Sequence, residues 1–488
     1  MPGAGYSNTT CYRSTLQEDF THIGVVPFTS GLINGKGHRY PDHGDEPENP
    51  VLPLETFTVK YGSSYRFRVI NAGMIYAFRV SVDEHQIKLI SVDGNDLKVE
   101  AAESIIVQPG ERIDFILHAD VVMRNYWIRA ETLEGNINPG KVLGVLHYQG
   151  STENHIPTSK RKKCSLKHRC RVINCPFGGS EPAEGSDLTN SKTGILNAHI
   201  LNIKFSRYYP KKKYMDCISI ADLKSTNFEI KQHPVPRIEN GMDLQELFLN
   251  FHFACEIWLN KMKLPFLCFQ TFPEQDGFFE SCEGKNCIDN CCCTNIIKLK
   301  KNKTVQLVLY NQDILVNLFR YHFSRPRFCF SDNTLFDMPH PIHMHGHQFH
   351  VLKMAFPDYN RFTGAIESPS PDIDCDTPYC NYPTWKNKSW HGDNIPGLNL
   401  VNPPLKDTVI VPRYGYVIIR IKADNPGYWI MHCHIEIHQV EGMALVFQEG
   451  EKSDMAPVPD KFHKCGDFNW TSNTFRKFIN NDINFSDF

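Results

Sequence analysis

Tyr65-Arg66-Phe67-Arg68-Val69-Ile70-Asn71-Ala72-Gly73 is the stretch that decides the fold. Tyr65, Phe67 and Val69 alternate with Arg66 and Arg68. That period of two puts the apolar side chains on one face of a strand and the charges on the other. Asn71-Ala72-Gly73 then turns the chain. The same unit recurs on either side. Phe57 and Val59 alternate before Tyr61-Gly62, and Phe78, Val80 and Val82 form the next run. Ile87, Leu89 and Ile90 lead to Asp93-Gly94-Asn95, and Ile105-Ile106-Val107 precedes Pro109-Gly110. Ile113, Phe115 and Leu117 alternate again, and Tyr126-Trp127-Ile128 and Val142 to His147 close the series. Short alternating runs between Gly, Asn and Asp turns predict an antiparallel sandwich or barrel. Upstream, Gly31 to Gly37 reads as a turn-rich loop and Tyr40 to Pro50 as exposed chain.

Downstream, a second strand-rich unit begins with Ile195, Leu196, Ile200, Leu201 and Ile203. It continues through Ile296 to Leu309, Val409-Ile410-Val411, Val417-Ile418-Ile419, Tyr428-Trp429-Ile430 and Ala444-Leu445-Val446-Phe447. Between the units, residues 151–185 carry Lys160-Arg161-Lys162-Lys163 and Gly178-Gly179, and read as a solvated connection tied down by Cys164, Cys170 and Cys175. The expected division is one domain with linker at 1–185, a second at 186–455 and a polar tail at 456–488. Gln312 to Asp337 shows neither alternation nor turn chemistry and reads as a surface insertion or an error in the gene model.

Composition narrows the class. Of 488 residues, 41% are hydrophobic and 22% charged, with a net charge of -2, which suits globular domains with real cores. That near-neutral balance gives no argument for nucleic acid or an anionic membrane as partner. No apolar segment reaches the roughly 20 residues that span a bilayer. Seventeen cysteines, many clustered, fit disulfide-tied loops in an oxidising compartment, so the intact protein is expected to be extracellular. A structural zinc site competes for Cys282, Cys287, Cys291, Cys292 and Cys293, which lack two clean pairs of ligand spacing. Glycosylation sequons stand at Asn8, Asn302, Asn387, Asn469 and Asn484. Met1-Pro2-Gly3-Ala4-Gly5 has no basic start and no following apolar run, so no secretory signal is read and the native N-terminus is expected to differ.

The chemistry sits in His340-Pro341-Ile342-His343-Met344-His345-Gly346-His347 and in His432-Cys433-His434-Ile435-Glu436-Ile437-His438, followed by Met443. A thiolate, two imidazoles and a weak thioether are the donor set of a blue-copper electron-transfer centre. His340, Cys433 and His438 supply the trigonal set, with Met443 axial. His432 and His434 flank Cys433, so in an extended strand both point to the opposite face. They can share a second centre with His343 and His345, which have the same spacing. Cys433, His432 and His434 then form a direct electron route between the centres. Zinc has no redox use for such a path. Glu436 lies between two histidines, but its strand context does not match a zinc-hydrolase helix. His347 and His350 are read as supporting or exposed residues, and Met344 as packing.

These segments resemble the multicopper oxidases, specifically the laccase-like group of animals. The resemblance rests on HPIHMHGHQFHVLKM from His340 and on the segment Asp407 to Gly450 containing MHCHIEIH. Softer matches are GLINGKG at Gly31, YRFRVINAG at Tyr65, DGNDL at Asp93, PGERIDF at Pro109 and NIPGLNL at Asn394. It implies tandem cupredoxin-like, plastocyanin-like Greek-key β-sandwiches, an all-β fold. It implies type 1 copper on His340, Cys433, His438 and Met443, a type 2 ligand in His343, and type 3 ligands in His345, His432 and His434. It implies single-electron oxidation of a phenol or aromatic amine, or of ferrous iron, with dioxygen as acceptor. The family's trinuclear cluster takes eight histidines in four pairs, and only the C-terminal pairs are found here. His22, His38, His43 and His85 stand alone. The chain is therefore expected to lack the first cupredoxin domain, to hold an incomplete cluster, and to have impaired turnover. The alternatives are a ferroxidase, with Glu436 or Glu441 near the copper, and a non-catalytic copper-binding or electron-transfer protein.

Overall fold

The alternating runs become strands in a computed structural model. It describes residues 28, 30–39, 53–133, 140–152, 156–162, 164–165, 168–176, 215–238, 243–251, 296–311, 339–359, 366–375, 380, 383–440 and 443–459. The fold is predominantly β, built as tandem cupredoxin-like sandwiches.

In the first sandwich, Ser64–Ile70 pairs antiparallel with Arg112–His118. The register sets Phe67 opposite Phe115, and their rings stack at 5.3 Å. Ile113, Phe115 and Leu117 are buried while their neighbours are part-exposed, as the alternation predicts. Ile87–Val92 and Asn95–Ala102 complete this four-stranded sheet. Facing it is a seven-stranded sheet that runs from Met215–Ile218 to Glu55–Val59. Three of its pairings are parallel joins of sequence-distant strands: Glu55–Val59 with Lys141–Tyr148, and Cys170–Ile173 with both Met215–Ile218 and Ser104–Val107.

The second sandwich has two five-stranded sheets. One orders Leu244–Phe251, Thr304–Asn311, Tyr416–Lys422, Phe349–Ala355 and Leu405–Lys406. The other orders Ile296–Leu299, Ala444–Glu449, Gly427–Cys433, His340–Met344 and Thr408–Val411. Their inner faces pack Leu307, Leu309, Val351, Val417, Ile419 and Phe447, all fully buried. The apolar core continues from one sandwich into the other.

Three readings change. Gly31 to Gly37 is a hairpin rather than a loop: Ser30–Ile33 pairs with Lys36–Arg39 across Asn34-Gly35, both with positive φ as a tight hairpin turn requires. The connection at 151–185 contributes the strand Cys170–Ile173 to the seven-stranded sheet, because its apolar residues meet open strand edges on both sides. Glu436 lies not in a strand but in the short helix Glu436–Val440. The chain leaves the sheet at Cys433, and a helical turn is what brings His438 back to it. Disulfides join Cys164 to Cys170, Cys175 to Cys217 and Cys375 to Cys380. The Cys282 to Cys293 group, the start of the second unit near Ile195, the Gln312 to Asp337 segment and Glu441 lie outside the described residues.

Candidate metal centres

Strand register creates two sites back to back. His340–Met344 and Gly427–Cys433 pair antiparallel, with Ile342 opposite Cys433 and His343 opposite His432. Side chains alternate across a sheet. His340 and Cys433 therefore share one face, and His343, His345 and His432 the other.

On the first face, Cys433 Sγ lies 3.8 Å from His340 Nδ1 and 3.6 Å from His438 Nδ1, and the two nitrogens are 3.2 Å apart. For a first-row metal, bonds of about 2.0–2.1 Å to nitrogen and 2.3 Å to sulfur in a trigonal plane put nitrogen and sulfur roughly 3.8 Å apart. The three donors thus sit where one ion holds all of them. Backbone bonds fix the loop: Cys433 N–H donates to Met443 O at 3.0 Å, and Met443 N–H to His438 O at 2.9 Å. The Ile435 N–H points at Cys433 Sγ at 3.4 Å. Met443 is 5% exposed, and His340, Cys433 and His438 are buried more deeply still. Burial pushes His340 well below the ordinary imidazole value, with His438 adding to the effect, and takes His438 down to about 3. Both rings are neutral lone-pair donors at neutral pH. Burial pushes the Cys433 thiol up, which a bound cation reverses by favouring thiolate.

On the second face, His343, His345 and His432 offer ring nitrogens within 4.8 Å of one another. His345 Nε2 lies 3.3 Å from His432 Nε2. His434 joins them, its ring 5.9 Å from His343 and 5.8 Å from His432. The His434 backbone N–H donates to Pro341 O at 2.7 Å, which ties it to the facing strand. Burial lowers His432 to about 4, and lowers His345 and His434 as well. His345 is exposed, so this centre opens to solvent. The first group resembles a type 1 copper site, and the second an incomplete trinuclear-type cluster.

The surroundings hold residues that the sequence did not single out. His343 Nδ1 lies 2.8 Å from Asp407 O and 3.0 Å from Thr408 Oγ1. The Asp407 carboxylate pairs with Arg112 of the first sandwich. Burial works against its charge, but the hydrogen bonds from Arg112 and His343 win and hold it below the usual carboxylate range. Lys406 Nζ, fully buried, lies 2.9 Å from Asp93 and 3.3 Å from Glu111. His347 is not exposed: its Nε2 lies 2.6 Å from the fully buried Glu449. His350 is buried too, and burial takes it down to about 4. Met344 is core, as read. His85 is engaged by Asp83 O and the Tyr148 hydroxyl, both at 2.8 Å.

A tandem cupredoxin fold with these two donor groups defines a copper-binding β-sandwich protein. Two family models, each described as multicopper oxidase, match residues 8–151 and 267–453, and the chain belongs to that family. It is 27% identical over 441 residues to laccase-1 of Thanatephorus cucumeris, covering 87% of this chain and 62% of that protein. It is 25% identical over 481 residues to the L-ascorbate oxidase of Cucurbita maxima, covering 92% and 65%. The chain thus spans under two thirds of the length of these curated relatives. The crystal structure of the laccase from Botrytis aclada aligns with a TM-score of 0.50 at 20% identity, over 88% of this chain and 59% of that one, and supports the fold. The resemblance to an animal group is corrected: the relatives found are fungal laccases, and plant laccases and ascorbate oxidases. The motifs behind it are metal-ligand spacings, which copper chemistry imposes across the whole family, so they do not separate its branches.

Proposed function

We propose that the chain is a copper-dependent oxidoreductase of laccase type, which takes single electrons from a phenol or aromatic amine and delivers them to dioxygen. The observation that carries this reading is the pairing of Cys433 with two buried imidazole nitrogens while His432 and His434, its neighbours in the chain, lie at the second cluster. Bound copper supplies one-electron redox chemistry. The buried His340, Cys433 and His438 would hold it, with the buried Met443 as the fourth residue of the set. The same reading gives His343, His345, His432 and His434 to the second centre, and one peptide unit joins the two. It also keeps the domain division at 1–185, 186–455 and 456–488, although Met215–Ile218 pairs back into the first sandwich. The three disulfides among the described residues fit an extracellular location. No helix among the described residues is long and apolar enough to cross a membrane.

A second reading, a non-catalytic copper-binding protein, is favoured by the second centre, whose exposed His345 leaves it open on one side. Copper content, visible absorption and oxygen uptake on a phenol separate the two. The laccase reading expects an intense blue band, absent in Cys433→Ser, together with oxygen uptake. A blue band without oxygen uptake selects the second reading. A colourless, copper-free chain overturns both.

A further inference from the structure

We infer that the turn Pro109-Gly110-Glu111-Arg112 of the first sandwich, which contributes no ligand, positions the second histidine cluster through Arg112 and Gly110. The inference rests on reading that cluster as a copper site. The turn leads directly into the strand Arg112–His118. Arg112 Nη1 donates to Asp407 Oδ1 at 2.6 Å, and Nη2 pairs with Oδ2. Nη1 also donates to Gly110 O at 3.0 Å, so the guanidinium closes its own turn while it grips Asp407. The Arg112 N–H donates to Asp93 Oδ1 at 3.1 Å, and Asp93 Oδ2 accepts the N–H groups of Asp407 and Thr408, each at 3.3 Å.

What Asp407 does with this support is hold one imidazole. Its backbone oxygen accepts from His343 Nδ1, and its Oδ1 accepts from Thr408 Oγ1, which itself lies beside the same nitrogen. With Nδ1–H engaged, the lone pair of His343 is on Nε2, the atom left for a metal. A partner on the second ring nitrogen fixes tautomer and orientation in this way.

Gly110 acts on His434. Its φ is +81°, and a Cβ there would stand 2.3 Å from His434 Cδ2 and 2.7 Å from Nε2. The bare backbone is thus a wall that the ring leans on, and no other residue fits it. Glue between sandwiches is the plainer role for Arg112. Buried Lys406, between Asp93 and Glu111, already fills that role, whereas the Arg112 side chain is 32% exposed and grips the residue that holds His343.

The test uses the full chain labelled with 15N-histidine. In the metal-free protein, two-bond proton–nitrogen correlations read the His343 tautomer. A copper(II) titration followed by electron paramagnetic resonance reads the second centre, with the blue band as internal reference. Arg112→Gln is expected to scramble the tautomer and to weaken copper at the second centre by about 10–100-fold, with the blue band kept. Arg112→Lys should recover part of the loss, and Gly110→Ala should move the His434 signals and lower the same affinity. An unchanged tautomer and affinity in Arg112→Gln and Gly110→Ala overturns the inference. So does joint loss of both centres with thermal unfolding, which assigns the turn to folding alone. If the wild-type chain takes no copper at the second centre, the copper-site reading fails, while the tautomer comparison still decides the positioning.

Discussion

The two centres are built around the same pair of strands, His340–Met344 and Gly427–Cys433, yet they depend on different surroundings. His340, Cys433 and His438 are 0–4% exposed and all three donors come from one sandwich, with one backbone bond on their loop, Glu436 N–H to Met74 O at 3.0 Å, reaching the other. The second cluster, on the opposite face of the same strands, has an exposed member and is braced from the other sandwich by Gly110 and Arg112. A buried centre gets its geometry from core packing, which resists displacement because interiors are close-packed. A centre at a surface must get its geometry from directed hydrogen bonds, and here those bonds cross the junction between sandwiches.

The largest expected effect comes from attacking that junction. Lys406 is fully buried between Asp93 and Glu111. Burial raises the Glu111 carboxyl above its ordinary value, and the Lys406 charge works against that. Lys406→Met leaves the buried Glu111 carboxyl without its cation, while Asp93 keeps Arg112, and breaking a buried pair typically costs about 3–5 kcal/mol. Urea denaturation should show this loss, partly recovered by adding Glu111→Gln. A variant as stable as wild type would mean that Lys406 does not hold the two sandwiches together.

Acid tests the burial of both centres, the first most strongly, since burial also lowers His432 to about 4. Burial holds metal-free His438 down at about 3, against 6.5 ordinarily, and lowers His340 in the same direction. As pH falls below about 6.5, the unfolded chain takes up protons that these buried rings refuse. The unfolded state then binds more protons, so stability falls with pH from about 6.5 toward 3. Between pH 6.5 and 5, before carboxylates titrate, the thermal midpoint of the metal-free chain should drop, and His438→Gln should reduce the slope, the buried His340, His432 and His350 keeping the rest. A flat wild-type profile would break the contrast between a dry centre and a wet one.

The sandwiches were legible because their sheets are half-buried, so Phe67 and Phe115 sit in a period of two that survives in the sequence. Cys170–Ile173 was not legible, since it is four residues long, follows a basic run, and finds its partner at Met215–Ile218. The ligands were legible for a related reason: the two-residue spacing that separates the faces also separates the centres. Their supports were not. Asp93, Glu111 and Arg112 meet Lys406 and Asp407 across some 300 residues, and nothing local in either segment marks the meeting. The helix at Glu436 was missed because an isoleucine-rich stretch after a strand reads as more strand.

The smallest expected effect tests how self-contained the buried centre is. Met443 is held by its backbone, through N–H to His438 O and through its own carbonyl from Cys433 N–H. Replacing its side chain therefore leaves the loop in place. Met443→Leu conserves volume and should cost under about 1.5 kcal/mol. The trigonal donors remain, so the blue band should persist, while the reduction potential should shift, because the axial ligand tunes it. A spectroelectrochemical titration reads both. Loss of the blue band would make Met443 a required ligand. An unchanged potential would show that its thioether plays no axial part, and that His340, Cys433 and His438 set the centre alone.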